Sequence, residues 1–426
     1  MKRFWWIMAG LVAAGGAFRL EAALGERPAR VVIRGDLLHT GAGEVLRDGV
    51  VVIEDGKIVR VGTAGEVGEV EGAEVLRAAV AIPGLIDAHA TVGLSGILNQ
   101  AHDQEQLEGS APMQPELRAI DAYNGRDPLV AWVRKFGVTT VHTGHAPGAL
   151  LSGQSMIIKS DRENISDGVL KPLAMICGSL GEGALQRGAG KSPGTRAKAV
   201  ALLRAELIRA REYETKRAAT EAGSEEGEEG EEGEDEGDPG ARDLRLEALG
   251  AVLRREVPLL LTVQRHQDIA AALRVAEEFG IALVLDGCAE AHLLLEAIRA
   301  SGFPVVVHPT LQRTHGESEN LTVRMAALLA EAGIPFAFQS GYESYVPKTR
   351  VVLFEGGLAA SYGVPFDAAL EAMTLGAARL LGVEERVGSL EVGKDGDVAL
   401  YDGDPFEYTT HCVGVVIEGR IYPGEQ

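Results

Sequence analysis

The chain has 426 residues, of which 46% are hydrophobic, and a formal net charge of −21. This length and composition fit one large domain with a smaller module better than a string of small domains, and the acidic balance argues against nucleic acid and anionic membrane surfaces as partners. The three cysteines are far apart and show no CxxC pattern, which favours buried free thiols over a disulfide framework.

Residues 1–23 have the features of an export signal. Two basic residues, Lys2 and Arg3, precede an apolar stretch over 4–18, and small residues near its end could set a cleavage site. The stretch is short for a transmembrane helix, so an uncleaved membrane anchor is the less favoured alternative. We therefore expect an exported protein, periplasmic or extracellular, with no membrane contact beyond the signal segment.

Both ends of the remaining chain are predicted to form strands. Residues 29–81 contain β-branched runs without a helical period, and residues 385–426 repeat this character. Good two-residue turns stand between the runs, at Asp55-Gly56 and Glu418-Gly419. We expect the two segments to combine into one small composite β-sandwich.

Residues 82–384 alternate apolar strand runs with amphipathic helices. One such helix spans 268–280, where apolar residues recur at helical spacing and Gly280 ends the pattern. The predicted strands cover 137–144, 257–263, 281–287, 303–309 and 334–340. This alternation predicts an α/β protein with a parallel sheet, in particular a (β/α)₈ TIM barrel. A doubly wound open sheet is the alternative, but no glycine-rich dinucleotide fingerprint follows an early strand.

A low-complexity acidic segment, residues 219–242, interrupts this domain. Residues 225–238 alone carry ten acidic side chains among glycines. Self-repulsion and the entropy of glycine predict a disordered, solvated insertion. Weak binding of a cation or a basic partner is the less favoured interpretation.

Five segments carry motifs that occur together in a known group of enzymes. They are PGLIDAH (83–89), GVTTV (137–141), DIAAALRVAEEFG (268–280), TLGAARLLG (374–382) and VGSLEVGKDGDVALYDGDP (387–405). In this order they resemble the amidohydrolase superfamily, in particular its imidazolonepropionase-like branch. The resemblance implies a TIM barrel with its site at the C-terminal ends of the strands, one or two divalent metals that activate water, a small-molecule substrate and a homodimer.

The ligand positions that the resemblance implies are mostly not filled by metal-binding residues. His89 matches the first histidine of strand 1. The other positions carry Thr91, Thr262 or Gln264, Gly287, and Gln339, Ser340 or Gly341. A tightly held zinc ion needs at least three protein ligands, so the expected metal site is degenerate. Lys159 as a lysine ligand is a weak alternative, and His266 is expected to lie past its strand end.

Two interpretations of the site stay open. In the first, a relocated site holds one divalent metal such as zinc through His89, His142, His145 and His308. In the second, the pocket has no metal. The residues that would then serve it lie in the loop after strand 8: Tyr342, Lys348 and Arg350 for a ligand, and Glu343 in place of the missing aspartate. Local hydrogen bonding of the histidines and an internally paired loop are the corresponding alternatives without function.

Two functions are consistent with these observations. The first is a hydrolase of non-peptide carbon–nitrogen bonds, in amides or cyclic amides, with a degenerate or relocated metal site. The second is a catalytically inactive barrel, a pseudoenzyme that serves as a binding or scaffolding module. Similarity of fold alone does not decide between them, since one fold hosts many functions.

Overall fold

The computed structural model describes residues 28–98, 100–162, 165, 168–188, 190–223, 242–311, 314, 316–342 and 351–424. The predicted export signal and the acidic run over 225–238 lie outside these residues and stay predictions. Of the helices described, none is long and apolar enough to cross a membrane.

The strands and helices alternate along the middle of the chain and strands dominate both ends. The strands are β1 (Arg30–His39), β2 (Val45–Glu54), β3 (Lys57–Thr63), β4 (Glu74–Pro83), β5 (Leu85–Ala90), β6 (Val138–Thr143), β7 (Leu151–Gln154), β8 (Met156–Lys159), β9 (Val169–Lys171), β10 (Ile176–Ser179), β11 (Leu259–Val263), β12 (Leu283–Gly287), β13 (Val305–Val307), β14 (Phe336–Phe338), β15 (Val398–Tyr401), β16 (Cys412–Ile417) and β17 (Arg420–Pro423). The helices are α1 (Ala64–Val67), α2 (Ala119–Ala122), α3 (Pro128–Arg134), α4 (Arg196–Gly223), α5 (Leu244–Leu253), α6 (His266–Phe279), α7 (Leu295–Ser301), α8 (Met325–Glu331), α9 (Val352–Ser361), α10 (Phe366–Glu371) and α11 (Leu375–Leu381).

Strands from both ends of the chain form one seven-stranded sheet in the order β17-β16-β15-β4-β1-β2-β3. The predicted turn between β2 and β3 is confirmed, since Asp55 and Gly56 have φ values of 47° and 82°, as the turn of a tight hairpin requires. The structure thus shows a composite sheet at this end of the molecule, whereas the composite sandwich stays a prediction.

The middle of the chain forms two further sheets, which we call the core sheets. The larger has the order β14-β13-β12-β11-β10-β7, and the smaller has the order β5-β6-β8-β9. Strands β10 to β14 are parallel to one another, and so are β5 and β6. A single parallel bridge between Ala90 and Gly341 connects the regions after β5 and β14. The predicted α/β class is confirmed, and closure into a barrel remains a prediction.

Helices α4 to α8 pack on the outer face of the larger core sheet. Helix α6 shows why, because its apolar side chains recur on one face and are buried against the sheet, and Gly280 ends it with a left-handed φ of 68°. Helix α4 extends into the segment that the sequence analysis assigns to the disordered insertion. It continues to Gly223, so residues 219–223 of the predicted disordered insertion are helical, which reflects the good helix formers alanine, glutamate, lysine and arginine before that point.

Strand alternation places a polar layer above an apolar one on the inner face of the larger core sheet. The apolar layer contains Leu260, Val284, Val306 and Ala337. Two residues further toward the C-terminus of each strand, the same face carries Thr262, Asp286, His308 and Gln339. Successive side chains of a strand point to opposite faces, so the layers are two residues apart. The polar layer therefore lies at the C-terminal ends of the parallel strands.

A buried ion pair joins the core sheets to the composite sheet. The Lys159 ammonium at the end of β8 lies 3.0 Å from an oxygen of Asp395 and also donates to Asp397 in the segment leading into β15. All three side chains are buried. Lys159 is consequently a structural cation, and the weak alternative of a lysine metal ligand is wrong.

Candidate functional site

The centre of the polar layer is a pair formed by His89 and Asp286. His89 lies near the end of β5, where the whole segment LIDAHA is buried. Its Nδ1 donates to Oδ1 of Asp286 on β12 over 3.1 Å, and both side chains have no exposed area. Because Asp286 can only accept when ionised, the bond fixes a proton on the Nδ1 of His89.

Two further donors complete the surroundings of Asp286. The hydroxyl of Thr262 on β11 donates to Oδ2 over 2.5 Å, and the side-chain amide of Gln339, directly after β14, donates to Oδ1 over 2.7 Å. Donors from three other strands thus converge on one carboxylate. Such a set stabilises the ionised form of a buried acid and restricts its orientation.

The two partners of the pair stabilise each other's charge. Burial acts to lower the pKa of His89 and to raise the pKa of Asp286. Their mutual attraction and hydrogen bonds outweigh burial, so that the pKa of His89 lies above its ordinary 6.5 and that of Asp286 lies below its ordinary 3.8. Their contact therefore stabilises the protonated form of His89 and the ionised form of Asp286. The pKa of Asp87 shifts in the opposite direction from that of Asp286. Asp87 accepts a hydrogen bond from the amide of Ser340, but burial outweighs this bond and raises its pKa to about 6.

Both ring nitrogens of His142 are engaged in hydrogen bonds. Nδ1 donates to the carbonyl of Ala88 over 2.6 Å, and Nε2 lies 2.7 Å from the hydroxyl of Ser155. Burial, followed by the charge of His89, lowers the pKa of His142 to about 3. His142 is therefore a neutral, hydrogen-bonded residue with no nitrogen free for a metal.

His145 and His308 are also buried and neutral. Burial lowers the pKa of both, to about 4 for His308. Neither ring has a hydrogen-bond partner among the described residues, and the same holds for Nε2 of His89. The ring of His145 packs against Gly153, whereas His308 belongs to the polar layer near Asp286. The structure thus brings His89, His142 and His308 to one layer but not into one ligand set.

The described residues do not fit the metal that the fold family implies. No group of three histidine, cysteine, aspartate or glutamate side chains in this part of the chain is placed to hold an ion. Nδ1 of His89 is bound to Asp286, and both nitrogens of His142 have other partners. The predicted relocated zinc site at His89, His142, His145 and His308 is therefore not formed by the residues described.

The main chain at Gly287 also opposes a ligand there. Its φ is 83°, a left-handed value that side chains rarely adopt, and a Cβ at this position would lie 2.4 Å from the amide nitrogen of Gln264. Gln264 is held in place because its oxygen accepts from the amide of Ala289. A histidine therefore has no room at this end of β12.

We expect Gly287→Ala to lower the free energy of unfolding by about 1–3 kcal/mol, because left-handed strain and the Gln264 contact act together. The measurement is urea denaturation of the purified protein. Gly302→Ala is a matched control, since Gly302 has a φ of 71° but nothing within 4 Å of the added Cβ. Equal losses in the two variants would contradict a steric block at Gly287.

The strand-8 loop is described only at its start. The ring of Tyr342 lies with its centroid 5.7 Å from that of His89, and its predicted contact with a ligand stays a prediction. Glu343, Lys348 and Arg350 lie outside the described residues, and their predicted roles stay predictions. His266 begins α6 and is bonded to Glu290, as expected for a residue past its strand end.

Asp286 is a candidate site residue that the sequence analysis did not single out. The metal-ligand position that the family resemblance implies for this strand falls on the neighbouring residue, Gly287. A signal was present, because Asp286 is the only charged residue in the strand run LVLDG and lies two residues after Val284 on the same face. A buried strand with a single carboxylate at its C-terminal end predicts a site residue.

Comparisons with known proteins agree on one family. The Amidohydro_3 model, described as an amidohydrolase family, matches residues 349–423. Amidohydrolase tasK of Hapsidospora irregularis is 25% identical over 365 residues, which cover 79% of this chain but 36% of that protein. The chain thus spans about a third of the length of this curated relative.

Solved structures show the same similarity over nearly the whole chain. An amidohydrolase from Thermotoga maritima MSB8 has 26% sequence identity and a TM-score of 0.82, with 93% of this chain and 100% of that chain covered. An adenosine deaminase from Xanthomonas campestris, solved with bound zinc, has 15% identity and a TM-score of 0.55, with 93% and 94% covered, and supports the fold alone.

Proposed function

The chain belongs to the amidohydrolase superfamily, and from this premise we propose that it hydrolyses non-peptide carbon–nitrogen bonds with the His89–Asp286 pair at its catalytic centre. The observation that carries the proposal is the convergence of His89, Thr262 and Gln339 on the Asp286 carboxylate. An imidazole whose Nδ1 is held by a buried carboxylate has its Nε2 free for proton transfer, which is the arrangement used by enzymes with a histidine base.

The pair supplies a complete set of proton transfers for amide hydrolysis. Neutral His89 accepts a proton from water at Nε2 while the water oxygen forms a bond to the carbonyl carbon. The resulting imidazolium is stabilised by Asp286, which stays ionised. His89 then gives the proton to the leaving nitrogen as the carbon–nitrogen bond breaks, and the products are a carboxylic acid and an amine.

The protonation of His89 sets the pH range of this reaction. No hydrogen bond of normal geometry reaches Nε2 among the described residues, although the main chain of His145 lies close enough to contribute to the raised pKa of His89. Because the base must be neutral, activity increases as the pH rises through the raised pKa of His89. The rate should therefore continue to increase above pH 6.5, the ordinary pKa of histidine.

Removal of metal is expected to leave the hydrolytic rate unchanged. The residues described fit no metal ion, and the base in our proposal is an imidazole, so treatment with a chelator followed by dialysis removes nothing that the reaction uses. The measurement is kcat of the treated and untreated protein, with metal content determined by elemental analysis. A rate that is lost with the metal and restored by zinc would contradict the proposal.

The activity itself is tested with a substrate panel. Linear amides, cyclic amides and N-acylated amino acids are incubated with the protein at several pH values, and the released amine or acid is quantified. Hydrolysis of at least one class by the native protein, but not by His89→Gln, is expected. Ligand binding without turnover over the whole panel would instead support the second function, an inactive barrel that serves as a binding or scaffolding module.

A further inference from the structure

The strand that carries His89 is irregular at the site. Strands β5 and β6 pair in parallel, but their register shifts between Asp87 and Ala90, so that Ala88 and His89 have no partner in the ladder. The carbonyl of His89 accepts from the amide of Gly341 over 3.2 Å. A bulge of this kind re-aims a side chain, and it persists only where other bonds replace those of the ladder.

His142 provides the replacement for the missing ladder bond at Ala88. Its side chain, on β6, donates from Nδ1 to the carbonyl of Ala88 over 2.6 Å. Since Ala88 immediately precedes His89, this bond fixes the peptide unit from which the His89 side chain extends. The two imidazole rings lie with their centroids 5.9 Å apart.

The carbonyl of Ala88 determines which nitrogen of His142 carries the proton, and Ser155 bonds to the other nitrogen. A carbonyl cannot donate, so Nδ1 of His142 must be protonated, and the neutral ring then has an unprotonated Nε2. The hydroxyl of Ser155, 2.7 Å away, donates to that Nε2. The side chains of Ser155 and His142 and the carbonyl of Ala88 thus form one directed chain of hydrogen bonds that ends beside His89.

We propose that His142, fixed by Ser155, is a positioning residue that holds the bulge of β5 and thereby aims Nδ1 of His89 at Asp286. The inference rests on the proposed function only for its effect on turnover. The geometry that it concerns, the His89–Asp286 bond, can be measured whether or not the protein is an enzyme. His142 itself is not a base in this scheme, because both of its nitrogens are used.

Several charged groups around the two rings bear on any pH-dependent readout. His89 faces Asp286 on β12, Asp87 on its own strand, the ring of His142 and that of Tyr342. His142 faces His89, Asp286 and, more remotely, Lys171 on β9. Substitutions at position 142 leave all of these groups other than His142 unchanged. A shift in the titration of His89 therefore reports the geometry of the bulge.

The test compares variants that keep or remove the donor to Ala88. His142→Asn keeps a donor close to the position of Nδ1, whereas His142→Leu removes it. Ser155→Ala keeps His142 and its bond to Ala88 but removes the partner of Nε2. Thr140→Val is the matched control, since Thr140 is buried two residues earlier on β6 and its hydroxyl has no partner among the residues described. Circular dichroism checks that each variant folds.

The primary readout is the titration of His89 in the full-length protein, followed by NMR with labelled histidine and assigned with His89→Gln. We expect its pKa to fall in His142→Leu, to fall less in Ser155→Ala, and to stay near the native value in His142→Asn and Thr140→Val. Where turnover is measurable, His142→Leu should lower kcat by roughly 10–100-fold with little change in KM, the range found for outer-sphere positioning bonds.

The outcomes separate this inference from the proposed function. An unchanged His89 titration in His142→Leu would overturn the positioning role, even if the protein hydrolyses amides. A lowered pKa in His142→Leu together with a native value in His142→Asn would support it, even if no substrate is turned over. Equal shifts in Thr140→Val and His142→Leu would mean that packing in β6 is responsible, and would also overturn it.

Discussion

Asp286→Asn is expected to lower kcat by roughly 10³–10⁴-fold, the effect of neutralising the carboxylate that orients a histidine base. The asparagine amide can donate toward Nδ1 of His89, which favours the tautomer with its proton on Nε2. That nitrogen would then be unable to accept a proton from water. The measurement is kcat and KM on any substrate that the panel reveals, and KM should change little because the substrate is bound by other groups.

The same substitution should lower stability, with a pH dependence that follows from the two pKa shifts. Removal of one partner of a buried ion pair costs about 3–5 kcal/mol. The folded-state pKa of His89 is raised, so its contribution is fully present below pH 6.5 and is lost as the pH rises through the folded value. The folded-state pKa of Asp286 is lowered, so its contribution is present above pH 3.8 and is lost as the pH falls through the folded value.

The difference in stability between native protein and Asp286→Asn should therefore be largest near pH 5–6 and smaller in alkaline solution, as measured by urea denaturation over a pH series. Thr262→Val is the matched control, because it removes one donor to Asp286 but leaves the charge. It should cost about 1.5–3 kcal/mol, as for one hydrogen bond to a charged group. Full activity of Asp286→Asn would refute the catalytic role of the pair.

Sequence periodicity was sufficient to predict several of the strands and one of the helices in the middle of the chain. The runs over 257–263 and 281–287 contain β11 and β12, and the helix predicted over 268–280 is α6 with its cap. These elements are predictable because burial imposes a period of two on a strand and of 3.6 on a helix, whatever the neighbouring segments do. The strand pattern at both ends of the chain likewise predicted that residues 29–81 and 385–426 combine, as they do in the composite sheet.

The centre of the site could not be derived in this way. His89 and Asp286 are far apart in sequence, and their bond exists only because β5 and β12 are brought together across the polar layer. A search for a known ligand pattern pointed to Gly287, where the left-handed main chain has no place for a side chain. The pairing of His142 with the carbonyl of Ala88 depends on a register shift, which is a property of the ladder and leaves no trace in periodicity.

Lys159→Met is expected to lower the free energy of unfolding by about 3–5 kcal/mol, because it removes the cation from a buried pair and leaves Asp397 uncompensated. Asp395 is less affected, since Lys57 and Arg386 also contact it. Burial already raises the pKa of Asp397 to about 6 with the lysine present. Without the lysine that pKa rises further, so the variant should bind a proton on folding and lose less stability in mildly acidic than in alkaline solution.

The double variant Lys159→Met/Asp397→Asn distinguishes the loss of a charge pair from the loss of packing. Asparagine keeps an acceptor for the amide of Glu418, which Asp397 now provides over 3.0 Å, and removes the unpaired charge. If the charge is responsible, the double variant should be more stable than Lys159→Met alone, and the two substitutions should be clearly non-additive in urea denaturation. If the loss of unfolding free energy in the double variant equals the sum of the losses in the two single variants, the charge pair contributes nothing. The contact between the core sheets and the composite sheet would then depend on the packing of the lysine side chain.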